Sequence, residues 1–195
     1  MPAMVRFLRP RFALAQIGAR RGGRRSLAAL PTEGELPGGG WRLVDERCWR
    51  TGATGDEPWA QRARAMGSVT AWRSFERPPD GRWLWIQFVP LASDADGVEA
   101  LRTIPSRKLA NREAEVAVTG RREVAGLDVP GAQAVWAEEC TTEGDAGTGV
   151  TMSLAWVAAS AVEVVSCAGP DPSACRWDEL TALAAAQSVR RLPTA

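Results

Sequence analysis

The sequence predicts an α+β domain, a central antiparallel sheet of about six to seven strands with three helices packed on it. Three observations predict it. Two apolar runs, Val69 to Phe75 and Trp83 to Val89, flank Pro78-Pro79-Asp80-Gly81. Pro presets φ and Gly accepts positive φ, so the runs form a hairpin. Two later runs, Val150 to Ala159 and Val162 to Cys167, are separated by a tight turn, which imposes antiparallel pairing. Finally, Trp177 to Leu192 carries Leu180, Leu183, Ala184 and Gln187 on one helical stripe, with alanines that let it lie close to a sheet.

In chain order, Met1 to Leu30 is a basic arm, read as disordered or as a start upstream of the true one. Its arginines mixed with Phe7, Leu8, Phe12, Leu14 and Ile17 resemble a transit peptide or an interfacial arm. Arg24-Arg25-Ser26-Leu27 resembles a twin-arginine export motif, but Leu27 to Leu30 falls short of the roughly 7 to 15 apolar residues of an export signal. Pro31 to Gly40 is a linker by composition, placing the start of the single folded domain, residues 41 to 192, at Trp41. Trp41 to Arg50 reads as the first strand. Asp56 is the candidate cap of a helix from Glu57 to about Met66, with Pro58 in its first turn and Gly67 closing it. The hairpin follows, and its second strand, apolar at nearly every position, suits a central strand covered on both faces. Ser93 or Asp94 caps a helix to about Thr103, ended by Pro105, with Asp94, Asp96 and Glu99 favoured in its early turns by the macrodipole. Glu113 to Val124 forms one or two short strands around Gly120. Val129-Pro130-Gly131 turns into a strand from Gln133 to Thr141, and Thr142 to Gly149 reads as a Gly-rich loop.

Length and composition narrow the function. The chain has 195 residues, 45% of them hydrophobic and 24% charged, the profile of a globular protein able to bury a substantial core. No apolar run approaches the roughly 20 residues of a membrane helix. The net charge of +1 is uneven: residues 1 to 30 hold seven arginines and no acid, leaving 17 − 23 = −6 on the rest. A folded body of that sign does not bind nucleic acid; the arm could touch an anionic surface. Lys108 is the single lysine among 24 basic residues, the imprint of a GC-rich bacterial genome.

Histidine is absent, which removes the usual general base and the commonest metal ligand. No phosphate cradle exists, because Gly38-Gly39-Gly40 leads into a strand without the required Lys and Ser/Thr, and the Gly55 region fails in the same way. Asp94 and Asp96 lack the remaining ligands of a calcium loop, so no metal and no cofactor is expected. Glu138 and Glu139 point to opposite sides of a strand and make no paired acid and base. Ser106 with Lys108, in a loop after Pro105, is a poor nucleophile pair without fold context. Arg121-Arg122 and Arg190-Arg191 read as surface charge, the latter also complementing the last helix.

Two residue classes remain. The nine tryptophans are mostly core. Trp83 and Trp85 share one face of the hairpin, with Trp72 on the partner strand, and form the candidate ligand-binding set. Four cysteines lack CxxC spacing. Cys167 and Cys175 bracket a short loop and could bridge, leaving Cys48 and Cys140 for each other if their strands are neighbours. Alternatively all four are buried hydrophobes in a reducing cytosol. Paired cysteines imply an exported or cell-envelope protein, free ones a cytoplasmic protein.

The first strand opening Trp41-Arg42-Leu43-Val44, the wide hairpin, the helix opening Ser93-Asp94-Ala95-Asp96, the Val129-Pro130-Gly131-Ala132 turn, two late strands and a closing helix resemble the PsbP-like α/β sandwich. That fold occurs in small exported bacterial lipoproteins and sensor-type domains. The resemblance covers about Trp41 to Leu192 and implies a non-catalytic binding or scaffolding module engaging a protein partner or a small apolar ligand. No lipoprotein cysteine follows an N-terminal apolar segment, and no functional residue of the family carries over. The alternative reading is an enzyme or enzyme subunit using carboxylates and arginines in a cleft.

Overall fold

A computed structural model describes residues 20–52, 55–113, 117–144 and 147–189. The order of elements is α1 (Arg20–Ala28), β1 (Arg42–Arg50), α2 (Pro58–Ala65), β2 (Val69–Arg77), β3 (Arg82–Pro90), α3 (Asp94–Glu113), β4 (Ala117–Glu123), β5 (Ala134–Gly144), β6 (Gly147–Ala158), β7 (Ala161–Gly169) and α4 (Trp177–Val189). Short 3-10 turns lie at Glu33–Glu35 and Pro172–Ala174. The fold is α+β, as the sequence predicts, with four helices among the described residues where three were expected.

Among the described residues, seven strands form one antiparallel sheet in the order β1-β2-β3-β7-β6-β5-β4. Two meanders, β1 to β3 and β4 to β7, meet where β3 pairs with β7. The expected hairpin is present, with Arg77 opposite Arg82 across the turn and Gly81 at φ +67.

Each face carries two helices. On one face, Leu180, Leu183 and Ala184 of α4, together with Leu27 and Leu30, pack on Phe75, Leu84, Ile86, Leu154 and Val165. On the other, Trp59, Ala60 and Ala63 of α2 and Ala100 and Leu101 of α3 pack on Val89, Val157, Val162 and Val164. The strand buried on both faces is β7, whose residues 161 to 167 are all buried. In β3 the even-numbered Leu84 and Ile86 are buried and Trp83, Trp85 and Gln87 are half-buried. The apolar run of β3 therefore reflects tryptophans on a partly covered face.

Several boundaries differ from expectation. Ordered packing starts upstream of Trp41: Ser26 Oγ donates to the Val69 carbonyl at 2.7 Å, and Leu30 and Leu36 are buried. The stretch read as a linker is held by Arg73, whose Nη1 donates to the carbonyls of Leu30 and Pro31 at 3.0 Å each. Residues 1 to 19 and Arg190-Arg191 lie outside the described residues. The cap of α2 is Glu57, without a side-chain cap bond, and the Asp56 carbonyl accepts from Gln61 Nε2 at 2.9 Å instead. Ser93 caps α3, its Oγ accepting from Asp96 N at 3.2 Å.

Pro105 does not end α3, which runs on to Glu113. Proline removes one backbone bond, and the packing of the Ala100 and Leu101 stretch sustains the helix across it. Ser106 and Lys108 thus lie within α3 and not in a loop after Pro105. Asp96 is buried and accepts from Arg62 Nε at 2.7 Å. The Gly-rich loop is also shorter than expected, because β5 and β6 pair as far as Gly144 opposite Gly147. Thr142 and Thr148 bring β-branched residues to that ladder, which favours strand over loop.

Candidate functional site

The sheet register brings the three candidate tryptophans onto one face. Trp83 lies between Glu76 and Ala168, Trp85 between Ser74 and Ser166, and Gln87 between Trp72 and Val164. Side chains two apart on a strand share a face, so Trp83, Trp85 and Gln87 point together and Trp72 joins them diagonally from β2. All three tryptophans are half-buried. Arg47 of β1, anchored to Asp45 at 2.8 Å, stacks over the Trp72 ring with its guanidinium carbon 5.7 Å from the centroid.

A polar row crosses the sheet through this patch. Glu138, Ser153, Ser166, Trp85 and Ser74 occupy successive register positions on β5, β6, β7, β3 and β2. The Ser153 and Ser166 hydroxyls share a hydrogen bond at 2.9 Å. Helix α3 packs across β5, β6 and β7, while the tryptophans stand on β2 and β3 beside it. The patch joins flat aromatic surface to hydroxyl and amide groups, which suits contact with an apolar or aromatic group bearing some polar atoms.

At the far side of that row, Glu138 is buried, receives Arg121 Nε at 2.8 Å and accepts from the Cys140 thiol at 2.8 Å. On the opposite face, Arg122 Nη2 reaches Glu139 at 2.9 Å. The alternation of Glu138 and Glu139 is therefore as the sequence indicates, but Arg121 is more than surface charge, since it neutralises a buried carboxylate. The signal was available: Glu138 and Cys140 share strand parity, so both meet whichever side chain faces them from β4. A second buried carboxylate, Glu163, stands between Phe88 and Trp156 on the α1 and α4 face, and nothing in its apolar sequence context marked it.

The structure holds all four cysteines as thiols. Cys175 and Cys167 lie with their sulfurs 3.1 Å apart, both buried. The hydrogen bond between them, and then burial, push the Cys175 thiol far above its ordinary value. Cys48 on β1 approaches the Gly23 carbonyl at 3.5 Å, and burial first, then Glu46, push its thiol up while Arg73 opposes them. A Cys48 to Cys140 bridge is excluded. Their strands are five steps apart in the sheet order, about 24 Å at the usual strand spacing.

Among the described residues, no group of three or more Cys, Asp or Glu side chains is placed to hold a metal ion, and no helix is long and apolar enough to cross a membrane. A crevice under α4, lined by Pro37, Trp41, Leu84, Cys167, Glu179 and Leu180, has about 10 Å³ of free space. It accommodates a single water and no organic ligand. It also lies on the face opposite the tryptophans.

The chain matches no family model and no curated protein. Among solved structures it is similar to the extracellular domain of PknH from Mycobacterium tuberculosis, at 14% identity and a TM-score of 0.51, over 86% of this chain and 94% of that one. At that identity the likeness is one of fold.

Proposed function

We propose that this protein is a non-catalytic binding module of an exported or cell-envelope location, engaging a protein partner or a small apolar ligand through the Trp72, Trp83 and Trp85 face. The observation that carries the reading is the register that sets three half-buried tryptophans beside Gln87 and Ser74 on one side of the hairpin. Aromatic anchors framed by fixed polar groups are what contact surfaces use for energy and orientation. The fold shared with an extracellular domain supports the location. The element order supports kinship with PsbP-like sandwiches, and the near absence of lysine supports a bacterial origin.

The test uses anilinonaphthalene sulfonate, an apolar aromatic anion, titrated against the folded full chain. Saturable binding with energy transfer from tryptophan is expected, weakened about tenfold or more in Trp72→Ala and Trp85→Ala. Unchanged dye affinity in variants that keep the wild-type melting temperature would refute the assignment.

A further inference from the structure

We infer that Cys167 and Cys175 are a structural disulfide site, closed by thiol–disulfide exchange as the chain folds and shielded from exchange once α4 has docked. The sulfurs stand 3.1 Å apart and both side chains are buried. A bond of about 2.05 Å needs them to approach by roughly 1 Å, within reach of side-chain rotation.

The segment between them is built to present the two sulfurs. Cys167 sits in register with Leu84 on one side and Met152 on the other, so the sheet fixes it. Cys175 directly follows the 3-10 turn Pro172–Ala174, where Asp171 accepts from Ser173 N at 2.8 Å. The turn folds back so closely that a Cβ at Gly169 would lie 2.4 Å from the Ala174 Cβ, a contact only glycine avoids. Arg82 Nη1 holds the Ala174 carbonyl at 2.9 Å. Both cysteines are thus positioned by elements other than each other.

The chemistry balances with a protein or low-molecular-weight disulfide as oxidant. One cysteine thiolate attacks the oxidant's disulfide, breaking it and forming a mixed disulfide. The second attacks the sulfur of the first, closes the internal bond and expels the oxidant's remaining thiolate. Two electrons pass to the oxidant, and the two thiol protons end on its sulfurs. The folded environment opposes a catalytic role, because reactive thiol pairs are accessible and acidic whereas both of these are buried and the Cys175 thiol is hard to ionise. What the bond does is pin the N-terminus of α4 to the central strand.

The test refolds the full chain from denaturant in a mixture of oxidised and reduced glutathione, quenches with acid, and alkylates in denaturant before and after reduction. Cys48 and Cys140 should alkylate without reductant, and Cys167 and Cys175 only after it. The oxidised form should melt about 5–10 °C above the reduced form, and Cys175→Ser should abolish that difference. Alkylation of all four thiols without reductant, a bridge to Cys48 or Cys140, or a reductant-dependent shift that persists in Cys175→Ser would each overturn the assignment. The wild-type alkylation map decides the matter even if the variant fails to fold.

Discussion

Arg82 and Glu179, 97 positions apart in the chain, are joined Nη1 to Oε2 at 2.8 Å. The same guanidinium donates to Asp80 at 2.8 Å and to the Ala174 carbonyl at 2.9 Å, and lies 5.4 Å from the centre of the Trp41 ring. One side chain therefore ties the hairpin, the chain entering β1 and the start of α4 together. Arg82 is buried while its acidic partners are about one-third exposed. Arg82→Ala should cost about 3 kcal/mol in urea unfolding, since it strands partly buried carboxylates and a carbonyl. Arg82→Lys should recover only part of that, because an ammonium cannot reproduce the fork. A loss below about 0.5 kcal/mol, the ordinary scale of surface substitutions, would remove the residue from this role.

The β6 to β7 turn is strained. Ala159 and Ser160 have φ of +47 and +55, the left-handed pair of a type I′ turn for which Asn-Gly is the preferred sequence. The turn is braced from outside: Asp94 accepts from Ser160 N at 2.6 Å, and Leu91 N donates to the Ser160 carbonyl at 2.8 Å. Replacing Ala159-Ser160 with Asn-Gly should stabilise the protein by about 1 kcal/mol, because the backbone bonds survive and the steric penalty falls. Asp94→Ala should destabilise it. Thermal unfolding of the two variants checks both signs.

Leu30 tests where the domain begins. It is 2% exposed and packs in the same cluster as Phe75 and Ile86, beyond the end of a helix rich in arginine. Leu30→Ala should cost about 2–4 kcal/mol, the range for a truncated buried leucine. An effect within about 0.5 kcal/mol would return the segment to the status of a loose arm.

What the sequence made legible was local. The Pro-Asp-Gly hairpin, the turn at Val129-Pro130-Gly131 and the Leu180, Leu183, Ala184 and Gln187 stripe all depend on neighbours a few residues apart, and all appear as predicted. Helix α1 escaped because Gly22, Gly23 and four arginines read as a solvated arm; its place is set by Ser26 and Leu27 against the sheet, which is tertiary context. The pairing of Cys48 with Cys140 was conditional on strand order, and strand order is not local. The tryptophan face was half legible: parity placed Trp83 with Trp85 and Gln87, but the partners Ser74 and Ser166 emerge only once β3 is paired between β2 and β7.

The raised thiols make stability depend on pH in a direction fixed by sign. Cys175 has its thiol pushed up by the Cys167 hydrogen bond and by burial, and Cys48 by burial and Glu46. A group with a raised folded pKa contributes fully below its unfolded value, about 8.5 for cysteine, and loses that contribution as pH climbs toward the folded value. Above about 8.5 the unfolded chain releases protons that the native state keeps, so rising pH favours unfolding. Few other groups obscure this, because the chain has no tyrosine and one lysine. Reduced protein unfolded in urea between about pH 8 and pH 10 should lose stability with a slope approaching about 1.4 kcal/mol per pH unit from Cys175, with a smaller share from the more exposed Cys48. Cys175→Ser should flatten most of that slope. An equally steep decline in the variant would assign the effect to other groups and show that Cys175 does not hold its proton.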